Sequence, residues 1–402
     1  MDAAALVRHE SVGVAAHRLV CKTATIVTRT STPSPTRALG PILILDPSLA
    51  ITGAFRAAAR AAALLAPRPV WVAVPENAAI ADDEYAPFTA VIRLPLVQIR
   101  RSTSSLLRYV PALISASLKL RRALRDHAIG TLIVNDVYLL HGAVVRLMGF
   151  RGRIITFVRS DPDQMPGPLR RVWVGAALRY GDKLVAVASH IAAKLPAHRK
   201  LRRIFDAVPA SGFPIGNPAE SMRILYVANF TRGKGQDIAL EAFANVASSF
   251  PDTRLHFVGG DFGLEKNRVF RRELERRAEV LGMAPRVLFD GFRSNVATLY
   301  AASRLALNCS KSEGLSNTCL EASAAGLPVI ATRCGGPEEI IDDGRTGFLV
   351  PVGDVPAVAE AITKLLRDPD LARRMGIAGA KRIRDVFGDE VFLAAFGPLL
   401  EA

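Results

Sequence analysis

Residues 308–350 read NCSKSEGLSNTCLEASAAGLPVIATRCGGPEEIIDDGRTGFLV, with Glu313 and Glu321 separated by seven residues. Residues 304–309 are apolar and β-prone, so they read as a strand that ends by Ser310. Ser312, Gly314, Ser316 and Asn317 are turn and cap residues, and residues 318–325 read as a helix closed by Gly326. Glu313 then lies on the strand-to-helix loop and Glu321 about one turn inside the helix. Open parallel sheets bind ligands in the crevice at the carboxyl ends of their strands, and both carboxylates can face such a crevice. The free N–H groups and positive dipole end of that helix suit a diphosphate, and the carboxylates suit the hydroxyls of a sugar and a ribose. On the spacing alone, two solvated surface glutamates are the plainer reading. The neighbours add weight: a strand at 326–332 leads into Gly335-Gly336 and then Glu339, a second turn where backbone approaches phosphate closely.

Working outward, the chain has 402 residues, half of them hydrophobic. This is enough for two α/β lobes with substantial cores and argues against widespread disorder. A βα rhythm recurs on both sides. Strands are expected at 41–45, 70–74, 131–134, 154–158 and 184–188, with helices at 54–65, 139–148 and 190–195. Ser189 is placed as the cap of the last of these. Residues 209–218 (PASGFPIGNP) read as an interdomain linker. A second series follows, with strands at 223–228, 254–258 and 286–289 and helices at 237–250, 266–281 and 296–302. Helices at 355–366 and 371–387 close it. The expected fold is α/β, two Rossmann-like doubly wound lobes facing across a cleft. The expected boundaries are a loose arm at 1–40, a first domain at 41–212 rejoined by a last helix at about 386–402, and a second domain at 213–385.

The net charge is +15, and its distribution says more than its size. Residues 1–212 hold 29 Lys and Arg against 13 Asp and Glu, whereas residues 213–402 hold 23 against 24. A single-sign field on one lobe suggests an anionic partner, namely a membrane surface, lipid phosphate or acidic glycan. Nucleic acid is disfavoured because no aromatic residues interleave with the basic ones. In residues 100–125, Arg100, Arg101, Arg108, Lys119, Arg121, Arg122 and Arg125 alternate with leucines and other apolar residues. This pattern fits a helix lying on an anionic membrane, and equally an ordinary crossover helix with a solvated basic face. Pro111 is expected to kink it or start a new helix. No stretch is apolar enough to span a membrane, and no secretory signal is visible. A cytoplasmic protein, peripheral on the inner face of the membrane, is expected. The four cysteines (Cys21, Cys309, Cys319, Cys334) lack metal-like spacing and read as reduced thiols; no HExxH cluster exists, so neither metal nor bound cofactor is expected.

At this point the residues resemble the retaining glycosyltransferases of the two-lobed GT-B type, family 4. The run SEG, NTCLEASAAGLPVIAT, GG, Glu339 and GRTGFLV is similar to that family's donor-site signature. ILYVANFTRGKGQDIALEAF (224–243) resembles its strand, Lys-Gly loop and helix, and residues 213–218 its linker. The resemblance covers roughly residues 213–350; the first lobe resembles the family only in rhythm. It implies that Lys234 contacts the donor diphosphate, that Glu313 faces the sugar, and that Glu321 holds the ribose. The N–H groups of Leu315 and Ser316, with Asn317 nearby, would bind phosphate, and Gly233, Gly235 and Gly314 would allow close approach.

Two departures stand out. Asn229 occupies the place of the family's usual first cation, with Arg232 as the expected substitute. Arg159 follows the 154–158 strand where a His is usual. It cannot accept a proton and is expected to bind an anionic acceptor or a phosphate. Gly53 and Asp161 complete the acceptor side, although Asp161 and Asp163 are as readily a loop cap. The implied activity is transfer of a sugar from a nucleotide-diphosphate donor, such as a UDP- or GDP-sugar, to a lipid-linked sugar or surface polysaccharide intermediate. The alternatives are a catalytically impaired sugar-nucleotide-binding protein and another GT-B enzyme such as a sugar-nucleotide epimerase. Oligomeric state is open.

Overall fold

The computed structural model describes residues 40–96, 103–209 and 212–401, without the side chains of 103–108. The expected arm up to residue 39, Cys21, Arg100, Arg101 and the side chain of Arg108 lie outside the described residues.

The first series runs β1 (Ile42–Leu45), α1 (Gly53–Leu64), β2 (Val70–Pro75), β3 (Ala90–Leu94), α2 (Thr103–Asp126) and β4 (Thr131–Val134). It continues through α3 (His141–Leu147), β5 (Arg153–Val158), α4 (Gly167–Tyr180), β6 (Lys183–Ala186), α5 (Ser189–Ala193) and β7 (Leu201–Arg203). These strands form one parallel sheet in the order β3-β2-β1-β4-β5-β6-β7. β1 is buried along its whole length, as expected of a central strand covered on both faces by helices.

The second series runs β8 (Arg223–Val227), α6 (Gln236–Ala247), β9 (Arg254–Val258), α7 (Glu265–Val280), β10 (Val287–Asp290), α8 (Ala297–Ala301) and β11 (Leu305–Asn308). Then come α9 (Asn317–Ala324), β12 (Val329–Thr332), α10 (Pro337–Ile340), β13 (Gly347–Val350), α11 (Val355–Arg367) and α12 (Pro369–Phe387). Its parallel sheet has the order β10-β9-β8-β11-β12-β13. In each sheet the strand order reverses once, between β1 and β4 and between β8 and β11, and ligands of such folds bind outside those two points.

The last helix, α13 (Asp389–Glu401), follows a break at Gly388. It returns to the first sheet, where Phe392, Phe396, Leu399 and Leu400 enter the core beside Phe157 and Val185. At about 1.5–3 kcal/mol per buried large side chain, these four residues hold the chain's end firmly on the first lobe. Polar contacts at each end of α13 add to this: Arg60 pairs with Asp389, and Arg153 donates to the Leu399 carbonyl at 2.6 Å.

Two local expectations are corrected. Pro111 does not start a new helix; it lies inside one continuous helix. Ser189 does not cap α5 through its side chain but begins the helix, with Ala188 at the cap position. Its N–H and hydroxyl are instead held by Glu339 of the second lobe, at 2.6 and 3.1 Å.

Candidate active site

The loops at the reversal points of the two sheets face each other across a cleft of about 880 Å³. From the second lobe, Asn229, Thr231, Lys234, Glu313, Gly314, Leu315, Ser316 and Asn317 line it. From the first come Thr52, Gly53, Asn135, Asp136, Arg159 and Asp206. A smaller cavity of about 120 Å³ adjoins it and holds Glu321, with Arg56, Asn229, Phe292 and Val296 around it.

Lys234 is carried by the loop between β8 and α6. The backbone there turns through Gly233 and Gly235, whose φ values are 93° and 79°, a left-handed conformation that favours glycine. A methyl group on Gly235 would also sit 2.0 Å from the Cys309 carbonyl oxygen. The loop therefore packs directly on the end of β11, which brings Lys234 Nζ to 2.8 Å from Glu313 Oε1. The same carboxylate oxygen accepts from the Ser310 hydroxyl at 2.6 Å. Burial pushes the Lys234 ammonium pKa down, but the Glu313 charge and hydrogen bond outweigh it and hold the pKa above the usual range.

Helix α9 starts at Asn317, one residue earlier than expected, because the Ser316 hydroxyl caps it by accepting from the Cys319 N–H at 3.4 Å. Among the described residues, the N–H groups of Leu315 and Ser316 donate to no protein acceptor. They are free donors at a helix N-terminus, the arrangement that receives anions. Inside the helix, the Glu321 side chain is 13% exposed. Burial raises its pKa, opposed by Arg56 at 3.5 Å and by the Tyr300 hydroxyl, which donates at 3.2 Å.

The lobes meet through specific contacts. Asn317 Nδ2 donates to the Gly53 carbonyl at 3.0 Å. The Arg159 carbonyl oxygen fills the space that a side chain on Gly314 would need, 2.0 Å from where its Cβ would lie. Glycine at 314 is thus required by the opposite lobe rather than by its own φ.

Three expectations about site residues change. Arg232 does not line the cleft: its side chain is 67% exposed, pairs with Glu273 and lies over the Phe270 ring. The α7 surface offers it an acidic partner, and that partner outcompetes the loop. Arg159 lines the cleft but is not a free cation. Its guanidinium donates to Asp206 at 2.6 Å and Asn135 at 2.8 Å and is 10% exposed. With Asp136 and Asp206 lining the cleft beside this one guanidinium, this floor is acidic, which disfavours an anionic group there. Asp161 receives Lys194 at 2.8 Å and the Asp163 N–H at 3.0 Å, so it acts as a loop cap. Asn229, expected as a donor-binding residue in place of the usual cation, lines the cleft with its Oδ1 already accepting from the Gly260 N–H at 2.9 Å, which ties down the loop after β9.

Residues that sequence reasoning missed are Arg56, Tyr300, Asn135, Asp136 and Asp206. Arg56 and Tyr300 lie in helices and Asn135, Asp136 and Asp206 on loops, and what joins each to the site is a partner 21 to 265 residues away in sequence. Burial pushes the Asp136 carboxyl up to about 6, against hydrogen bonds from Val137 N–H, the Ser160 hydroxyl and Arg159 N–H. Cys309 and Cys319 are free, buried thiols. Among the described residues, no group of three or more His, Cys, Asp and Glu gathers as a metal site, and no helix is long and apolar enough to cross a membrane.

Residues 211–382 match the family described as Glycosyl transferases group 1. The N-acetyl-alpha-D-glucosaminyl L-malate synthase of Bacillus anthracis is 35% identical over 179 residues, 44% of this chain and 45% of that protein. The GDP-mannose-dependent alpha-(1-6)-phosphatidylinositol monomannoside mannosyltransferase of Mycolicibacterium smegmatis is 39% identical over 155 residues, 36% of this chain and 39% of that protein. The match thus spans less than half the length of these relatives. In overall shape, Anabaena HepE, solved with UDP and glucose, superposes with a TM-score of 0.77 at 20% identity, covering 90% of this chain and all of that one. The sucrose-phosphate synthase of Thermosynechococcus elongatus gives 0.74 at 22% identity, covering 90% and 98%. Two lobes of this architecture and the superposition on those solved structures agree that the chain has the GT-B fold, and its residues 211–382 carry the pattern of the glycosyl transferases group 1 family.

Proposed function

We propose that this chain is a retaining glycosyltransferase that moves a sugar from a nucleotide-diphosphate sugar to a hydroxyl of a lipid-linked sugar or surface polysaccharide intermediate. The observation that carries the reading is the grouping of Lys234, Glu313 and the free Leu315 and Ser316 amides on one cleft, with Glu321 in the adjoining cavity. Residues 213–385 are taken as the donor domain, and residues 41–212 with the last helix as the acceptor domain. The donor's ribose hydroxyls would donate to Glu321, its diphosphate would lie on the α9 amides and Lys234, and its sugar would face Glu313.

In the transfer, the acceptor oxygen forms a bond to the anomeric carbon on the face from which the diphosphate departs. The bond from that carbon to the phosphate oxygen breaks, and the acceptor proton passes to the departing β-phosphate. Charge grows on that phosphate, so preorganised donors there are worth most in the transition state. Lys234 and the α9 amides supply them, and the reading needs no resident metal or cofactor. HepE's bound UDP and the GDP-mannose named for the mycobacterial relative support a UDP- or GDP-sugar donor. The phosphatidylinositol and lipopolysaccharide acceptors in relatives' names support a lipid-linked or surface-glycan acceptor.

The reading includes contact with the cytoplasmic face of a membrane through α2. Val110, Ile114 and Leu118 are 54%, 47% and 56% exposed and recur every four residues along one face. Arg122 and Arg125 follow, with side chains 78% and 69% exposed. The opposite face buries Ala116, Leu120 and Leu124, so the helix also performs the ordinary crossover role.

A thermal-shift screen with UDP- and GDP-sugars, followed by an assay of nucleoside diphosphate release with extract acceptors, tests the reading. Stabilisation by one nucleotide sugar and acceptor-dependent release are expected. A chain stabilised by none of them would not be a transferase of this kind.

A further inference from the structure

The donor site is short of positive charge. A bound diphosphate brings about two negative charges near neutral pH, while Lys234 is already matched by Glu313 at 2.8 Å. Among the described residues, four cations line the cleft and its adjoining cavity: Arg56, Arg159, Lys234 and Arg293. Arg159 is committed to Asp206 and Asn135. Arg293 holds Asp290 through Nε at 2.7 Å and Nη2 at 2.6 Å. Arg56 is held differently. Its ion pair with Glu321 is a single 3.5 Å contact, its other bond is to the Ser294 carbonyl at 3.2 Å, and its side chain is 30% exposed. A long, single-point pair at that exposure is weak and readily exchanged.

Its position gives the exchange a direction. Arg56 lies in the first turn of α1, on the first lobe, and reaches into the cavity that holds Glu321 and Asn229 of the second. Asn229 stands where a second cation was expected, and its amide is occupied with Gly260. When ribose hydroxyls donate to Glu321, that buried carboxylate no longer depends on Arg56, and the guanidinium is free to turn to the phosphates beside it. Guanidinium pairs with phosphate better than with a single long carboxylate contact, because its planar fork meets two oxygens at once.

We propose that Arg56 is the second cation of the donor site: a diphosphate ligand supplied by the opposite lobe, resting on Glu321 until a ribose takes that carboxylate over. The proposal rests on the donor-site reading above and adds to it that the site is complete only when both lobes contribute.

The test compares nucleoside diphosphate with nucleoside on the full chain. UDP, uridine, GDP and guanosine are titrated by NMR against the wild type, Arg56→Gln and Arg56→Lys. For whichever base binds, Arg56→Gln should cut the diphosphate-to-nucleoside affinity ratio by about 10- to 100-fold, and Arg56→Lys should recover part of it. A ratio unchanged in Arg56→Gln, whether both affinities fall together or neither moves, overturns the proposal while leaving the donor site standing. A wild-type chain that binds neither diphosphate overturns the donor-site reading and Arg56's role with it.

Discussion

Lys234 Nζ donates to Glu313 Oε1 at 2.8 Å, joining the loop after β8 to the loop after β11 at the point where the second sheet reverses its strand order. Without a donor, each side chain answers the other's charge, so neither is stranded at a partly buried site. A diphosphate would compete for the ammonium, and a sugar hydroxyl for the carboxylate. Lys234→Ala should lower turnover on the order of 10²–10³-fold, the usual cost of removing one preorganised donor to a developing charge. Nucleoside diphosphate release under saturating donor measures it, and full activity would remove Lys234 from the mechanism.

On the proposed reading, Glu321 holds the other end of the donor. Its carboxylate is buried against Tyr300 and touched only at long range by Arg56. Glu321→Ala should weaken donor binding by about 10- to 100-fold, as expected for losing hydrogen bonds to a charged acceptor. Calorimetric titration decides it; an unchanged affinity would exclude the ribose role.

Gly314 tests the meeting of the lobes. Any β-carbon there would lie 2.0 Å from the Arg159 carbonyl oxygen, a backbone atom that cannot swing aside. Gly314→Ala should therefore hold the lobes apart with each lobe's core intact. Turnover should fall on the order of 100-fold, since a displacement of about 1 Å suffices for that loss. Small-angle scattering should show a larger radius of gyration. Wild-type turnover in this variant would mean that the lobes need not approach as closely as the structure shows.

Asp136 makes stability depend on pH. Burial raises its folded-state carboxyl to about 6 from 3.8, so between those values the folded chain binds more protons than the unfolded one. Stability contributed by this group is then lost as pH rises from about 4 to 6, by up to roughly 3 kcal/mol. Asp136→Asn removes the titration, so the difference in unfolding free energy between variant and wild type should shift in the variant's favour as pH rises through that window. Denaturant melts at pH 4.5 and 7 measure the shift; parallel curves would show that Asp136 keeps an ordinary pKa.

What was readable in the sequence follows from the range of each signal. The strand, loop and helix around Glu313 and Glu321 are local, set by apolar runs, cap residues and glycines within a few positions, and the motif order along 224–243 and 308–350 carried the family pattern. The reach of side chains between lobes is not local. Arg159 looks like a free cation in its own segment, yet Asp206, 47 residues later, neutralises it. Arg232 was expected to face the phosphates, yet Glu273 on α7 draws it outward. For both arginines a partner distant in sequence decided where the side chain went. Pro111, expected to start a new helix or kink the old one, lies inside one continuous run.

The proposed membrane face of α2 separates charge from apolar burial. Lys119 already pairs with Glu76, and Arg122 and Arg125 share Asp126, but exposed pairs of this kind contribute little and exchange readily for lipid phosphate. At about 1 kcal/mol per basic residue near an anionic surface, neutralising Arg121, Arg122 and Arg125 should weaken binding to phosphatidylserine vesicles by on the order of 100-fold. Neutral phosphatidylcholine vesicles should show no such difference. Replacing Val110, Ile114 and Leu118 by serine should reduce binding to both, because insertion of the apolar stripe does not depend on lipid charge. These three side chains are exposed and support no core, so the serine variant should melt as the wild type does. Co-sedimentation of all variants with anionic vesicles at wild-type levels would assign α2 to the crossover role alone.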